Sequence, residues 1–278
     1  MTRQTIYTWL PRYKRFGIDG LITSRKKRTD RPHNKTPKEI EQLVINTADT
    51  YWQDGVEALA DHLERLHNLT IDPTTVYRIL KREGARYGQQ HPRTTKRWKK
   101  QLYAHQIPGT ELQMDTKYPF GYKQGRVIYT IIDDATRWVY AYTYTTANKE
   151  NTLDFLDRVR RHAPFPIQKI HTDQGKEFIA LVVKEYLKAH RIAYRNNTPY
   201  CPEENGKIER FHRTLNEKCV VGMYPGDSLD ILQYKLSLFL QYYNWQKRHR
   251  GLGMDGRTPV QKLLDCGSVN LTLQCYNF

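Results

Sequence analysis

The first 85 residues carry apolar side chains at intervals of three and four, which is the period of an amphipathic helix. Ile6, Trp9 and Tyr13 predict one helix near the start of the chain. Three more helices are predicted between residues 36 and 82, the first of them with Thr36 as its N-cap. The front of the chain is therefore expected to be all-α.

A short turn separates the last two of these helices, which is the layout of a helix-turn-helix motif. In that interpretation Thr74, Thr75 and Arg78 lie on the final helix and face the major groove of DNA. A plain three-helix bundle is the alternative interpretation. The first helix also resembles the last helix of such a motif, so residues 1–30 would be a partial helix-turn-helix with a basic linker, and residues 31–85 a complete one.

The pattern changes to that of β-strands from residue 110 onwards. Residues 111–115 alternate between apolar and polar, as expected of a half-buried strand that Asp115 would end. Residues 126–133 and 138–145 are rich in β-branched and aromatic side chains, with a turn between them. Helices are then predicted at 148–161 and 176–189, and strands at 167–172 and 192–195. Three strands followed by an alternation of helix and strand predict an α/β fold with a mixed sheet.

The chain is strongly basic, with a formal net charge of +16 over 278 residues, and the surplus is larger before residue 110 than after it. This balance favours a polyanionic partner, nucleic acid before an acidic membrane surface. No run approaches the ~20 apolar residues that span a bilayer, and the start lacks a signal-peptide pattern. We therefore expect a cytoplasmic protein without a membrane partner, associated with the nucleoid when it is bound to DNA. Residues 86–108 are predicted to be a basic linker, in which Arg97 and Lys99 are candidate DNA contacts.

The cysteines and histidines do not predict a disulfide scaffold or a zinc site. None of the four cysteines forms a Cys-x-x-Cys pair, and none precedes residue 201. A chain of this size in a reducing compartment does not depend on disulfides. His62 and His67 lack cysteines at the short spacing that a structural zinc site requires.

Three acidic residues stand out by their position in the predicted elements. Asp115 ends the first strand, Asp173 follows the strand at 167–172, and Glu209 lies on the polar face of an amphipathic helix. Acids at strand ends and on a neighbouring helix can converge at one edge of a sheet. Carboxylates bind Mg²⁺, and two such ions about 3.5–4 Å apart activate the attacking oxygen and stabilise the leaving oxygen of a phosphodiester. For Glu209 alone, an exposed helix of mixed charge is the alternative.

Taken together, the segments around these acids resemble the DDE-type integrase core that retroviral integrases share with many bacterial insertion-sequence transposases. Thirty-five residues separate Asp173 from Glu209, which is the characteristic spacing of that family. The lack of a zinc motif favours a bacterial element over a retroviral integrase. The matching segments are Met-Asp-Thr at 114–116, Thr-Asp-Gln-Gly-Lys-Glu-Phe at 172–178, Asn-Gly-Lys-Ile-Glu-Arg-Phe-His-Arg-Thr-Leu at 205–215, and a closing segment at 242–253 with Thr-Pro at 258–259.

The resemblance implies an RNase H-like catalytic core at residues 109–265, with residues 266–278 as a C-terminal tail. It implies that Asp115, Asp173 and Glu209 are catalytic and hold two Mg²⁺ or Mn²⁺ ions. The implied reaction is cleavage at the ends of a DNA element, followed by attack of the freed 3′-OH on target DNA. The implied partners are double-stranded DNA, at terminal inverted repeats and at the target, and further copies of the chain on that DNA. Candidate DNA contacts beside Glu209 are Lys207, Arg210, His212 and Arg213.

Other acids near these motifs are not expected to bind metal. Asp133 and Asp134 belong to the turn between two strands and are predicted to be structural, although Asp133 could lie near the site. Glu177 is predicted to position the helix that follows Asp173.

Two other functions fit parts of the sequence. A truncated or domesticated relative would bind DNA without catalysis, as the missing start of the first helix-turn-helix suggests. A nuclease of the same fold would cut an RNA–DNA hybrid with the same acids, but it would gain little from DNA-reading helices. The three intact acids favour the strand-transfer enzyme over both.

Overall fold

Helices occupy the front of the chain and a mixed sheet lies behind them. The computed structural model describes residues 3–21, 36–85, 87–88, 104–197 and 205–267. Arg97 and Lys99, two of the candidate DNA contacts, lie outside these residues. Of the helices in the described segments, none combines the length and the apolar character needed to cross a bilayer.

The predicted helical front is confirmed, with small changes at its boundaries. Helix α2 begins at Lys38 and has Pro37, not Thr36, at its N-cap position, because the backbone of Pro37 is still extended. The Asp72 side chain accepts a hydrogen bond from Thr74 N at 2.8 Å and so caps the last helix. The four helices are α1 (Arg3–Phe16), α2 (Lys38–Thr50), α3 (Val56–His67) and α4 (Pro73–Glu83).

Helices α2, α3 and α4 enclose one small core. Val44, Ala48, Leu59, Leu63, Val76 and Leu80 are its fully buried members. Helix α1 forms at the predicted place, but its apolar residues do not join this core, and it packs mainly on the turn that follows it. The helix-turn-helix pair α3–α4 is therefore stabilised by α2 rather than by α1.

The sheet has five strands in the order β3-β2-β1-β4-β5. Strand β2 pairs antiparallel with β1 and β3 pairs antiparallel with β2, whereas β4 pairs parallel with β1 and β5 pairs parallel with β4. This is the mixed sheet that the sequence predicts. The strands are β1 (Leu112–Lys117), β2 (Val127–Asp133), β3 (Val139–Tyr144), β4 (Lys169–Thr172) and β5 (Ala193–Asn196).

Two of the predicted boundaries are wrong in a way that matters for the site. Asp115 does not end its strand, because Thr116 and Lys117 continue the ladder with β2. The helix expected at 176–189 is two helices, since the backbone of Ala180 is extended between them. The helices that flank the sheet are α5 (Lys149–His162), α6 (Lys176–Ile179), α7 (Leu181–Ala189), α8 (Gly206–Lys218), α9 (Leu229–Trp245) and α10 (Pro259–Asp265).

Helices cover both faces of the sheet, which explains why every residue of β2 is buried. On one face Tyr129 and Ile131 pack with Phe155 of α5 and with residues of α6 and α7. On the other face Ile128 and Ile132 pack with α8 and α9. Alternate residues of a strand point to opposite faces, so a strand covered on both faces carries apolar residues on both, as β2 does.

The helical front contacts the core along α3 and the loop before it. His62 Nε2 lies 2.8 Å from Asp54 Oδ2. Asp54 also forms an ion pair with Lys218 at the end of α8. Further along α3, Glu64 forms an ion pair with Arg248 at 2.8 Å. A cleft of about 670 Å³ lies between the two parts and is lined by residues of both.

Candidate active site

Asp115 lies on the central strand β1, with its side chain 22% exposed. Thr116 N donates to Asp115 Oδ1 at 2.7 Å, which fixes the direction of the carboxyl group. Burial, and then the negative charges of Asp173, Glu177 and Glu209, raise the pKa of Asp115 to about 7. A carboxylate is disfavoured by low dielectric and by like charges within a few ångströms. Asp173, Glu177 and Glu209 are therefore close enough to Asp115 for their charges to act on it.

Asp173 reaches this region through the parallel pairing of β4 with β1. Met114 is the register partner of Thr172, so Asp115 and Asp173 are the next residues on neighbouring strands. Neighbouring strands lie about 4.8 Å apart. Gly175 N donates to Asp173 Oδ1 at 2.9 Å and holds the carboxyl in the turn before α6.

Glu209 comes from the first turn of α8. The amphipathic helix predicted around Glu209 is confirmed, since its apolar stripe of Ile208, Phe211 and Leu215 is fully buried against the sheet. Ile208 N donates to Gln113 Oε1 on β1 at 3.2 Å, which ties the start of the helix to the strand of Asp115. Glu209 itself is exposed, as the alternative interpretation expected, yet its charge acts on Asp115.

The acids of the site are not neutralised by basic side chains. Among the described residues, Asp115, Asp173, Glu177 and Glu209 form no ion pair with a lysine or an arginine, and His212 is the basic side chain that approaches Asp115. Oxygen ligands with uncompensated charge are suited to a hard divalent cation. As the side chains stand, however, no group of three or more His, Cys, Asp or Glu in the described segments is spaced to hold a metal ion. The chemistry of these oxygen ligands therefore fits such a cation. To bind it, the carboxyl groups would have to move closer together.

Glu177 belongs to the site more closely than its sequence position suggested. Thr116 Oγ1 donates to Glu177 Oε1 at 3.4 Å, so the side chain turns towards β1 as well as starting α6. Its effect on the pKa of Asp115 ranks ahead of that of Glu209. One turn separates Glu177 from Asp173 along the chain, and this spacing was the signal that could have revealed it.

His212 was expected to contact DNA, but the structure places it inside the site. Its side chain is only 11% exposed. His212 Nε2 lies 2.7 Å from Thr130 Oγ1, and Nδ1 lies 3.6 Å from Asp115 Oδ2. Burial lowers the pKa of His212 to about 4, so the imidazole is neutral near pH 7. No feature of the sequence indicated Thr130, because its role depends on the pairing of β2 with β1.

Lys207 was also expected to contact DNA, and it too has another partner. Its ammonium group forms an ion pair with Asp134 Oδ1, and burial lowers its pKa. Asp134 Oδ2 accepts a further hydrogen bond from His105 N at 2.8 Å. The pair joins the start of α8 to the turn after β2, so Lys207 is held by the fold and does not face solvent.

Asp133 has the structural surroundings that the sequence predicts for it. Its carboxyl accepts hydrogen bonds from Gly109 N at 2.9 Å, Thr136 N at 2.8 Å and Thr136 Oγ1 at 2.7 Å. Asp133 pairs with Leu112, three positions along β1 from Asp115. It is therefore roughly 10 Å from the acids of the site, at about 3.3 Å per residue.

The remaining candidate DNA contacts lie at the surface. Thr74 and Arg78 are exposed on α4, and Thr75 is half-buried beside them. Arg210 and Arg213 are exposed on α8, on either side of His212. These side chains are free to meet phosphates or bases.

Both parts of the chain match models of known protein families. Residues 105–202 match a family model described as Integrase core domain, and residues 190–259 match a second model of the same description. Residues 5–80 match a model described as Homeodomain-like domain. The two integrase matches together span the sheet, the flanking helices and all three predicted acids.

Two curated relatives have integrase or polyprotein names. The chain is 28% identical over 172 residues to a putative integrase of Spiroplasma virus SpV1-C74, covering 55% of this chain and 47% of the relative. It is 26% identical over 219 residues to a Pol polyprotein of equine infectious anemia virus, isolate 1369, covering 77% of this chain and 18% of the relative. The chain thus spans about half or less of the length of these relatives.

A solved structure shares the fold. The simian T-cell lymphotropic virus intasome, determined in complex with PP2A regulatory subunit B56 gamma, superposes with a TM-score of 0.50 at 18% identity, covering 78% of this chain and 73% of that one. The mixed five-stranded sheet is thus RNase H-like, as the resemblance implied, and a helix-turn-helix region precedes it. Residues 105–202 and 190–259 of the chain are thus similar to the integrase core domain.

Proposed function

We propose that this chain is a transposase that cleaves the ends of a DNA element and joins the freed 3′-OH to target DNA. Asp115, Asp173 and Glu209 are the proposed catalytic metal ligands. The observation that carries the proposal is the parallel pairing of β4 with β1, which sets Asp115 beside Asp173, while no lysine or arginine of the described segments pairs with Asp115, Asp173, Glu177 or Glu209. Such an arrangement is unfavourable by itself, and a divalent cation would remove the repulsion.

Two Mg²⁺ or Mn²⁺ ions are the cofactors that suit these oxygen ligands. When bound, such ions activate the attacking oxygen and stabilise the leaving oxygen of a phosphodiester. Asp115 and Asp173 are held by backbone N–H groups at 2.7 and 2.9 Å, so they give the site its fixed part. Glu209 is exposed and has no polar partner among the described residues, so it is the ligand that is free to move inward.

The surface around the acids is suited to DNA. Arg210 and Arg213 flank the site on α8 and would contact phosphates, whose neutralisation dominates the affinity of proteins for DNA. On α4, Thr74, Thr75 and Arg78 would read the terminal repeats from the major groove. The basic segment with Arg97 and Lys99 would track the backbone between these two regions. Because joining needs two ends and a target, we expect further copies of the chain on the DNA.

The experiment that tests the proposal is strand transfer of a labelled duplex taken from the DNA that flanks the coding sequence, with Mg²⁺ or Mn²⁺. The wild type is compared with Glu209→Gln, which removes one charge and nearly keeps the shape. Glu185→Gln is the matched control, since Glu185 is exposed and lies on α7, which carries none of the three proposed ligands. We expect Glu209→Gln to lower the rate by about 100-fold or more, since each 1.4 kcal/mol is tenfold in rate and a metal site supplies several kcal/mol.

The other outcomes identify the competing functions. If the wild type binds the duplex but joins nothing with either metal, the chain is a DNA-binding relative without catalysis. If it cuts an RNA–DNA hybrid faster than duplex ends, it is a nuclease of the same fold. If Glu209→Gln joins DNA as fast as Glu185→Gln, the role proposed for Glu209 is wrong.

A further inference from the structure

We infer that His212 is a positioning residue, which holds α8, and with it Glu209, against the strand of Asp115 through the hydroxyl of Thr130. The inference rests on the proposed function, because the placement of Glu209 matters only if Glu209 binds metal together with Asp115. It replaces the DNA-contact role that the sequence suggested for His212.

The direction of the hydrogen bonds follows from the protons that are present. Thr130 Oγ1 donates to the backbone oxygen of Asp115 at 3.0 Å, so its single proton is already used. With that proton used, the bond of 2.7 Å between Thr130 Oγ1 and His212 Nε2 has the imidazole as its donor in the tautomer that carries its proton on Nε2, which we assign to His212. Thr130 is fully buried and His212 nearly so, which shields both bonds from competition by water.

The two bonds connect the elements that carry the acids. Asp115 and Thr130 are direct partners in the ladder between β1 and β2. His212 and Glu209 are three residues apart on α8 and so share one face of the helix. A continuous path thus runs from Asp115 to Thr130, to His212, and one helical turn back to Glu209.

A polar tie is needed here because the acids repel one another. The carboxylates of Glu209 and Asp115 carry like charges, so electrostatics pushes the start of α8 away from β1. The apolar stripe of α8 fixes the height of the helix over the sheet, but apolar contacts are non-directional. A hydrogen bond is directional, so the bond of His212 to Thr130, together with that of Ile208 N to Gln113 in the first turn, sets the rotation of α8 about its axis. That rotation decides where the carboxyl of Glu209 points.

Matched substitutions separate the hydrogen bond from the bulk of the ring. Glutamine at position 212 carries an N–H₂ group at the distance of Nε2 and can still donate to Thr130. Asparagine carries it at the distance of Nδ1 and falls short. Thr130→Ser keeps the hydroxyl, whereas Thr130→Val keeps the shape and loses it. Asn216→Ala, at an exposed position one turn further along α8, is the control for substitution in this helix.

The measurement is binding of Mn²⁺ to the full chain without DNA, followed by electron paramagnetic resonance, with thermal unfolding of each variant alongside. We expect His212→Asn and Thr130→Val to weaken Mn²⁺ binding by about 10-fold or more, as loss of a group that orients a ligand commonly does. His212→Gln and Thr130→Ser should recover most of the affinity. The double variant His212→Asn/Thr130→Val should bind no more weakly than the worse single variant, because both remove one interaction.

Two results would overturn the inference. One is Mn²⁺ binding by His212→Asn equal to that of Asn216→Ala. The other is an equal loss in His212→Gln and His212→Asn, which would mean that the ring, and not its hydrogen bond, is required. If instead Asp115→Asn and Glu209→Gln bind Mn²⁺ as the wild type does, the proposed metal site itself is wrong. The acid variants thus test the proposed metal site, and the His212 variants test the positioning role separately.

Discussion

Asn244 closes the free edge of the sheet, and its removal tests how the core is held together. Strand β3 lies at the edge, so one side of its backbone has no neighbouring strand. Val139 N donates to Asn244 Oδ1 at 3.0 Å, and Asn244 Nδ2 donates to Val139 O at 2.8 Å. Gln233, three turns earlier on α9, accepts from Thr143 N at 3.0 Å on the same edge. Side chains of α9 thus make hydrogen bonds to β3 that a sixth strand would otherwise make.

The cost of losing Asn244 can be worked from these two bonds. Asn244 is 2% exposed and Val139 is 1% exposed, so water cannot replace the missing partner. Each hydrogen bond contributes about 0.5–1.5 kcal/mol net, and each buried backbone group left without a partner costs about 1–3 kcal/mol. Asn244→Leu keeps the approximate size of the side chain and adds no large cavity. We therefore expect the free energy of unfolding to fall by about 2–4 kcal/mol for this substitution.

Urea unfolding at pH 7, followed by tryptophan fluorescence, measures this change. Asn216→Leu, at an exposed position on α8, is the control and should stay within about 0.5 kcal/mol of the wild type. Asn244→Asp gives a second test. Its carboxylate still accepts from Val139 N but meets Val139 O without a proton, so this variant should regain stability as pH falls and the carboxyl becomes a donor. A loss below about 1 kcal/mol in Asn244→Leu would refute the role of Asn244 at the edge.

Two further predictions concern the site. The pKa of Asp115 rises from its usual 3.8 to about 7 in the folded protein; since the folded state binds this proton more tightly, stability from this group is present at low pH and is lost as pH rises through about 7. Asp173→Asn should lower that pKa, and ¹³C NMR titration of the aspartate carboxyls without metal checks it; an unchanged pKa would mean that the two acids do not share a field. Lys207→Met should lower the free energy of unfolding by about 1–3 kcal/mol, because Asp134 stays buried and its Oδ1 loses the ion pair. Arg213→Ala should leave stability unchanged and reduce the salt dependence of DNA binding by about one phosphate contact. If Lys207→Met left stability unchanged and reduced the salt dependence of DNA binding instead, Lys207 would be a DNA contact.

Much of the fold could be predicted because local pattern and tertiary position agree. The β-branched and aromatic residues of 126–133 predicted a strand, and β2 forms there. The apolar stripe of α8 correctly placed Ile208, Phe211 and Leu215 against the sheet. The break at Ala180 was missed, since a helix-forming sequence on either side gives no sign of an extended residue between two short helices.

The site was predicted less completely, because charge alone does not tell a lysine that binds DNA from one that is paired. Lys207 and Arg213 are equally basic in the sequence, yet only Lys207 meets a buried carboxylate, and that carboxylate lies in a turn 73 residues earlier. Thr130 had no signal of its own, since its importance comes from facing Asp115 across a ladder and His212 from a helix above.

The sequence by itself determined the chemistry that is present: three acids at a characteristic spacing, an α/β alternation, and a basic, helical front. These features are local or periodic, so they can be read along the chain. Only the tertiary structure decided which groups meet. The parallel pairing of β4 with β1 brings Asp173 beside Asp115, and the packing of α8 buries His212 and leaves Glu209 exposed. Burial and like charge then set the pKa of Asp115, and both depend on distances that no single segment of the chain contains.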